Sequence, residues 1–156
     1  MLKKILFIFL IIISLISSSQ SKDNVYILLT INGEIITNYD VNKEGDYLQI
    51  LNPNLRQLKK DKIFQIARDS LVREIIKKNE IKKIFDLKKK NPYVDDYFKN
   101  LYTRLNFDNQ NDFKDFLITS SDYSVEEVKE KLKIEIMWNQ LIHFKYSDQV
   151  NINKET

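Results

Sequence analysis

His143 is the only histidine in the chain, and there is no cysteine. The side chains that most often supply a base near neutral pH or a soft metal ligand are therefore nearly missing. A Ser-His-carboxylate triad needs an imidazole within hydrogen-bond reach of its nucleophile. His143 instead stands between Ile142 and Phe144, the setting of a structural or partly exposed histidine. One imidazole and no thiolate exclude a histidine metal cluster, a zinc–thiolate centre, a disulfide and a lipid-bearing cysteine. The acidic pairs Asp95-Asp96 and Glu126-Glu127 fall where helices should begin, and there the helix dipole accounts for them. Gly33 and Gly45 are the only glycines and build no phosphate-cradling loop. The sequence thus predicts no catalytic residue, no bound cofactor and no metal, and enzyme activity is not expected.

Aromatic residues are a better lead, at 12% of the chain with eight tyrosines and nine phenylalanines. Tyr and Trp join apolar area to a hydrogen-bonding tip, which suits a surface that takes varied, extended peptides. The candidate client-binding residues are Tyr39, Tyr47, Phe113, Phe116, Trp138 and Phe144. Tyr97, Phe98 and Tyr102 have the spacing of a buried stripe and are assigned to core. Trp138 lies on the Ile134-Leu141-Ile142 side of its helix, beside the stripe, where it can cover a groove. Net charge is +3, but removing Lys3 and Lys4 leaves 23 basic against 22 acidic side chains. Near-neutrality gives no reason to expect nucleic acid as a partner.

The elements that must position these residues begin with a leader. Residues 1–21 carry Lys3 and Lys4, an apolar run over 5–16, and small polar residues to Ser21. That is the plan of a secretory signal peptide, with cleavage expected before Lys22 or, as a close alternative, after Ser19, and with an uncleaved anchor as the other reading. Twelve helical residues reach about 18 Å against a hydrocarbon core of ~30 Å, so no stable membrane insertion is expected after cleavage. Residues 25–41, VYILLTINGEIITNYDV, then pack a hairpin and a helix start together. Asn32-Gly33 between two apolar runs signals a type I′ turn. Thr37 and Asp40 have the spacing of a capping box.

Five helices should follow. The first spans 38–51 and ends before Pro53, weakened by Gly45, which costs about 1 kcal/mol relative to Ala. The second spans 55–85, with Ile63, Ile66, Ala67, Leu71, Ile75 and Ile76 as its buried stripe. A basic linker over 86–90 leads to Asn91-Pro92, read as cap and first helical residue of the third helix. Val94, Tyr97, Phe98, Leu101, Tyr102 and Leu105 draw its apolar face. A short fourth helix, 109–118, turns Phe113, Phe116 and Leu117 inward. Ser124 and Glu127 form a capping box for the fifth, 125–146, which buries Val125, Val128, Leu132, Ile136, Met137, Leu141 and Phe144. The expected fold is mainly α, an N-terminal β-hairpin followed by a bundle of about five helices. The expected organisation is leader 1–21, one domain over 22–150 and a polar tail 151–156.

The strand, I-N-G-E-I-I-T, and N-Y-D-V opening a helix resemble the start of the N-terminal domain of SurA-type periplasmic chaperones. The helix order continues the likeness over residues 25–150, through N-Q-N-D-F-K-D-F-L and E-E-V-K-E-K-L-K-I-E-I. The resemblance implies a SurA-like or trigger-factor-like peptide-binding domain in the periplasm. It implies ATP-independent binding of unfolded outer-membrane protein segments or aromatic-rich peptides. Family members usually continue into parvulin prolyl isomerase modules and a C-terminal segment that packs back on this domain. This sequence stops at Thr156, before either, and one histidine does not furnish the parvulin set, so isomerase activity is not carried over. The missing segment implies an open strand edge or groove that a second chain, or a second copy in a homodimer, would cover. A non-catalytic envelope interaction or assembly subunit is the alternative, and a truncated isomerase lacking its catalytic module a third.

Overall fold

A computed structural model describes residues 24–147 of the chain. The expected leader, its cleavage site and the polar tail lie outside those residues. Two antiparallel strands, β1 (Ile27–Ile31) and β2 (Glu34–Thr37), open the described chain. Asn32 and Gly33 take φ of 50° and 84°, the two left-handed conformations a type I′ turn requires. Asn38 extends the pairing beyond the strands. Its backbone N–H donates to the Tyr26 carbonyl at 3.1 Å, and its Oδ1 accepts from the Tyr26 N–H at 2.8 Å. Each strand has one partner and so keeps one unpaired edge. A two-stranded ribbon is marginal alone; this one is held because Ile36 is buried and Leu28, Leu29 and Ile31 pack around it.

Helix α1 (Asn38–Leu51) starts on the expected capping box. Thr37 Oγ1 accepts from the Asp40 N–H at 3.2 Å while Asp40 Oδ2 accepts from the Thr37 N–H at 2.8 Å. The second helix departs from expectation. Pro53–Gln57 form a separate 3-10 helix, and α2 runs only from Lys60 to Lys82. The Leu58 N–H bonds the Leu55 carbonyl three residues back at 3.0 Å. Leu58 and Lys59 then go extended, with ψ of 154° and 146°. Helix α3 (Val94–Arg104) likewise starts after Pro92, not on it. Asn91 Oδ1 accepts from the Tyr93 N–H at 3.0 Å, an Asx turn that holds Pro92 outside the helix.

At its other end α3 closes on Asn106, at φ 66°. The Phe107 N–H reaches the Tyr102 carbonyl at 3.0 Å and the Asn106 N–H the Thr103 carbonyl at 2.9 Å. Those two bonds make a Schellman motif with Asn in the place glycine usually takes. Helix α4 (Gln110–Ser120) is capped by Asn109, and α5 (Val125–Tyr146) by the Ser124–Glu127 box, both arms present. The fold is the expected hairpin followed by five helices.

Gly45 is buried where α1 crosses α2. A Cβ there would stand 3.3 Å from Ile63 Cγ2 and 3.8 Å from Ala67 Cβ. What reads locally as a weak point in α1 eases its close approach to α2, where a Cβ would press on Ile63.

Three apolar clusters hold the helices. The largest joins Tyr47 and Ile50 of α1 to Phe98, Leu101, Phe113, Leu117 and Val128 from α3, α4 and α5. The second joins the hairpin to α1 and α2 through Ile36, Val41, Ala67 and Ile75. The third joins the end of α2 to α5 through Ile81, Ile134, Met137 and Leu141. Three residues assigned to the core are instead exposed, namely Ile76, Tyr97 at 51% and Phe144 at 67%. Ile134 is buried without having been expected. Helix α5 packs on α2 along one side and α3 along another, so its apolar surface is too broad for a single stripe.

Candidate functional site

Glu44 is the least expected residue of the interior, a carboxylate only 1% exposed. A buried ion persists only if its lone pairs are met. Ser70 Oγ donates to Glu44 Oε1 at 2.7 Å, and the Tyr123 hydroxyl donates to Oε2 at 2.8 Å. Lys131 Nζ stands 2.8 Å from the same Oε2 and also bonds Glu74 of α2, which Lys78 meets from its other side at 2.7 Å. One network therefore ties α1, α2, α5 and the α4–α5 connection. Lys131 also faces the Tyr47 and Tyr123 rings, 5.6 and 5.4 Å from their centroids.

Burial opposes the charge on both Lys131 and Glu74, yet opposite charges win at each. Glu74 and Glu44 hold the Lys131 ammonium above the usual lysine range, while Lys131 and Lys78 hold Glu74 below the usual carboxylate range. Burial, then the Glu44 charge, raises the phenols of Tyr123 and Tyr47. A lysine held protonated is a poor nucleophile or Schiff-base former. The network is suited to fixing helices, and its outer face forms the wall of a cleft.

That cleft has a volume of about 280 Å³ and lies where α1, α2, α3 and α5 converge. Leu51, Leu101 and Leu132 supply apolar lining, and Arg73, Lys77 and Arg104 stand among them. A second hollow of about 410 Å³ shares Leu51 and Arg104 with the first and adds Arg56, Phe107 and Phe116. A cavity of about 150 Å³ suffices for a benzene ring, so either hollow has room for an aromatic side chain.

The six candidate client-binding residues do not form one site. Tyr47, Phe113 and Phe116 gather in the largest cluster, where Tyr47 and Phe113 are buried. Of these, Tyr47 lines the cleft and Phe116 the adjoining hollow. Trp138 packs on the third cluster, with Lys77 Nζ 6.0 Å from its ring centroid. Phe144 is exposed, its ring 6.5 Å from that of Phe85. Tyr39 sits on the surface, donating its hydroxyl to Asp122 at 3.0 Å. The cleft's leucines and arginines were not anticipated, nor was its buried network. One sequence signal did exist: Val41, Glu44, Leu48 and Leu51 share a helical face, so Glu44 lies inside an apolar stripe.

Among the described residues no cluster of His, Cys, Asp and Glu has the makings of a metal site. None of their helices is long and apolar enough to cross a membrane. No protein-family description, curated protein or solved structure matches this chain.

Proposed function

We propose that this protein binds unfolded segments of other polypeptides without ATP, as a periplasmic chaperone of the SurA N-terminal type. The observation that carries the reading is the leucine-lined cleft between four helices, which shares Leu51 and Arg104 with a second hollow lined by Phe107 and Phe116. Reversible shielding of apolar groups needs a pre-formed groove and no reacting side chain. The signal-like leader supports delivery to the periplasm, where outer-membrane protein precursors pass unfolded. A light-scattering assay on an unfolded porin tests the reading. Suppressed aggregation at several-fold excess of this protein is expected, and unchanged aggregation counts against it.

A fixed docking role is the second reading. It is favoured by the outer side of the hairpin, where Val25, Tyr26, Ile27 and Ile35 are all more than half exposed beside an unpaired strand edge. Pull-down from periplasmic extract separates the two. A single stoichiometric partner indicates docking, and a spread of β-barrel precursors indicates chaperoning.

A further inference from the structure

The chain has four arginines. Arg68 is paired with Asp69 at 3.0 Å. Among the described residues, Arg56, Arg73 and Arg104 have no ion-pair partner, and these three line the two hollows that share Leu51 and Arg104. The carboxylates of the first hollow are already matched. Glu44 and Glu74 share Lys131, Lys78 also meets Glu74 at 2.7 Å, and Glu135 meets Lys77 at 2.6 Å, so these three carboxylates face three lysines. Arg73 and Arg104 are therefore a surplus of positive charge in that cleft. The second hollow holds Arg56 and Arg104 and has no acidic residue in its lining.

Resting on the peptide-binding reading above, we propose that the groove selects polypeptide segments in which apolar or aromatic side chains are flanked by carboxylates. The apolar group would enter between Leu51, Leu101 and Leu132, and the flanking acids would meet Arg73, Arg104 and Arg56. Charge complementarity decides the occupant. A guanidinium offers a planar fork of donors that fits a carboxylate bidentately, which an ammonium does not. A purely apolar ligand would leave three guanidiniums beside it unmatched, whereas a basic ligand would be repelled.

The test uses the whole protein and three labelled hexapeptides, each with a central Phe-Leu pair flanked by two Asp, two Asn or two Lys on either side. Fluorescence anisotropy at low salt should show the aspartate peptide binding about tenfold more tightly than the asparagine one, with the lysine peptide weakest. That advantage should shrink as salt rises. Arg73→Gln and Arg104→Gln should each remove several-fold of it, with a smaller loss for the asparagine peptide. Arg104→Lys should restore only part. Both arginines are exposed, and an unchanged circular dichroism spectrum confirms that the variants fold.

Equal binding of the aspartate and asparagine peptides overturns the proposal and leaves the peptide-binding reading standing. Failure of all three peptides to bind overturns both. Displacement of the aspartate peptide by equimolar N-acetyl-aspartate assigns the arginines to free carboxylates, and dimerisation lost in Arg104→Gln assigns them to a second copy. Either result overturns the proposal.

Discussion

The Tyr123 hydroxyl donates to Glu44 at 2.8 Å across 79 residues of sequence, closing the α4–α5 connection onto α1. Its acceptor is a buried carboxylate, so the bond is of the charge-assisted kind, worth about 1.5–3 kcal/mol. Tyr123→Phe should lower stability in urea by that amount with the m-value unchanged. Glu44→Ala should lower it by more, about 3–5 kcal/mol, because it strips Lys131 of one of its two carboxylates in a buried site. A loss below ~0.5 kcal/mol for either would show that the network is not closed in solution.

The same network sets a pH window. Glu74 is held below its ordinary range, so its contribution is present above the unfolded carboxylate value and disappears as pH falls through the folded one. Lys131, Tyr47 and Tyr123 are held above theirs. Their contributions are whole below the unfolded values and lost as pH rises towards the folded ones. Stability should therefore be level near neutrality and decline on both sides, with the alkaline fall starting near pH ~10 as the unfolded phenols and lysine begin to ionise. Urea melts across pH check the shape. Tyr123→Phe should flatten the alkaline limb, and an unaltered limb would contradict the assignment.

Gly45 sets two effects against each other. Alanine brings about 1 kcal/mol of helix propensity, but its Cβ would stand 3.3 Å from Ile63 Cγ2. Gly45→Ala should show none of that gain. Gly45→Val, which adds two methyls to a Cβ already tight against Ile63, should lose about 1–3 kcal/mol. Thermal melts of the pair suffice, and a full kcal/mol gained by the alanine variant would deny the close helix crossing.

Asn106 holds φ 66° at the end of α3, so Asn106→Gly should be neutral or stabilising. Asn106→Ala should cost about 1 kcal/mol, because alanine keeps the disfavoured Cβ and lacks the short polar side chain that eases asparagine into that region. Equal stability of the two variants would rule out the left-handed cap.

Local signals carried the elements whose ends are made by short-range hydrogen bonds. Thr37–Asp40 and Ser124–Glu127 mark the starts of α1 and α5, and Asn32-Gly33 marks the turn, all within four residues. The start of α2 has no such mark. Its N-cap, Lys59, makes no side-chain cap bond, so the break after the 3-10 helix has no signature in composition. Burial failed where it depends on a neighbour. Phe144 and Tyr97 keep the period of a stripe, yet both are mostly exposed. The cleft was the least legible part, since Glu44, Glu74 and Lys131 lie on three different helices. Charges that look solvated one helix at a time become a buried network only when α1, α2 and α5 meet.

Methyl-resolved NMR of the leucine and isoleucine side chains, with an unfolded porin segment titrated in, bears most directly on the peptide-binding cleft. The signals of Leu51, Leu101 and Leu132 should move and saturate together, while those of exposed Ile118 and Ile142 stay in place. If the segment binds and the three cleft leucines do not respond, the cleft is not where this protein holds its clients.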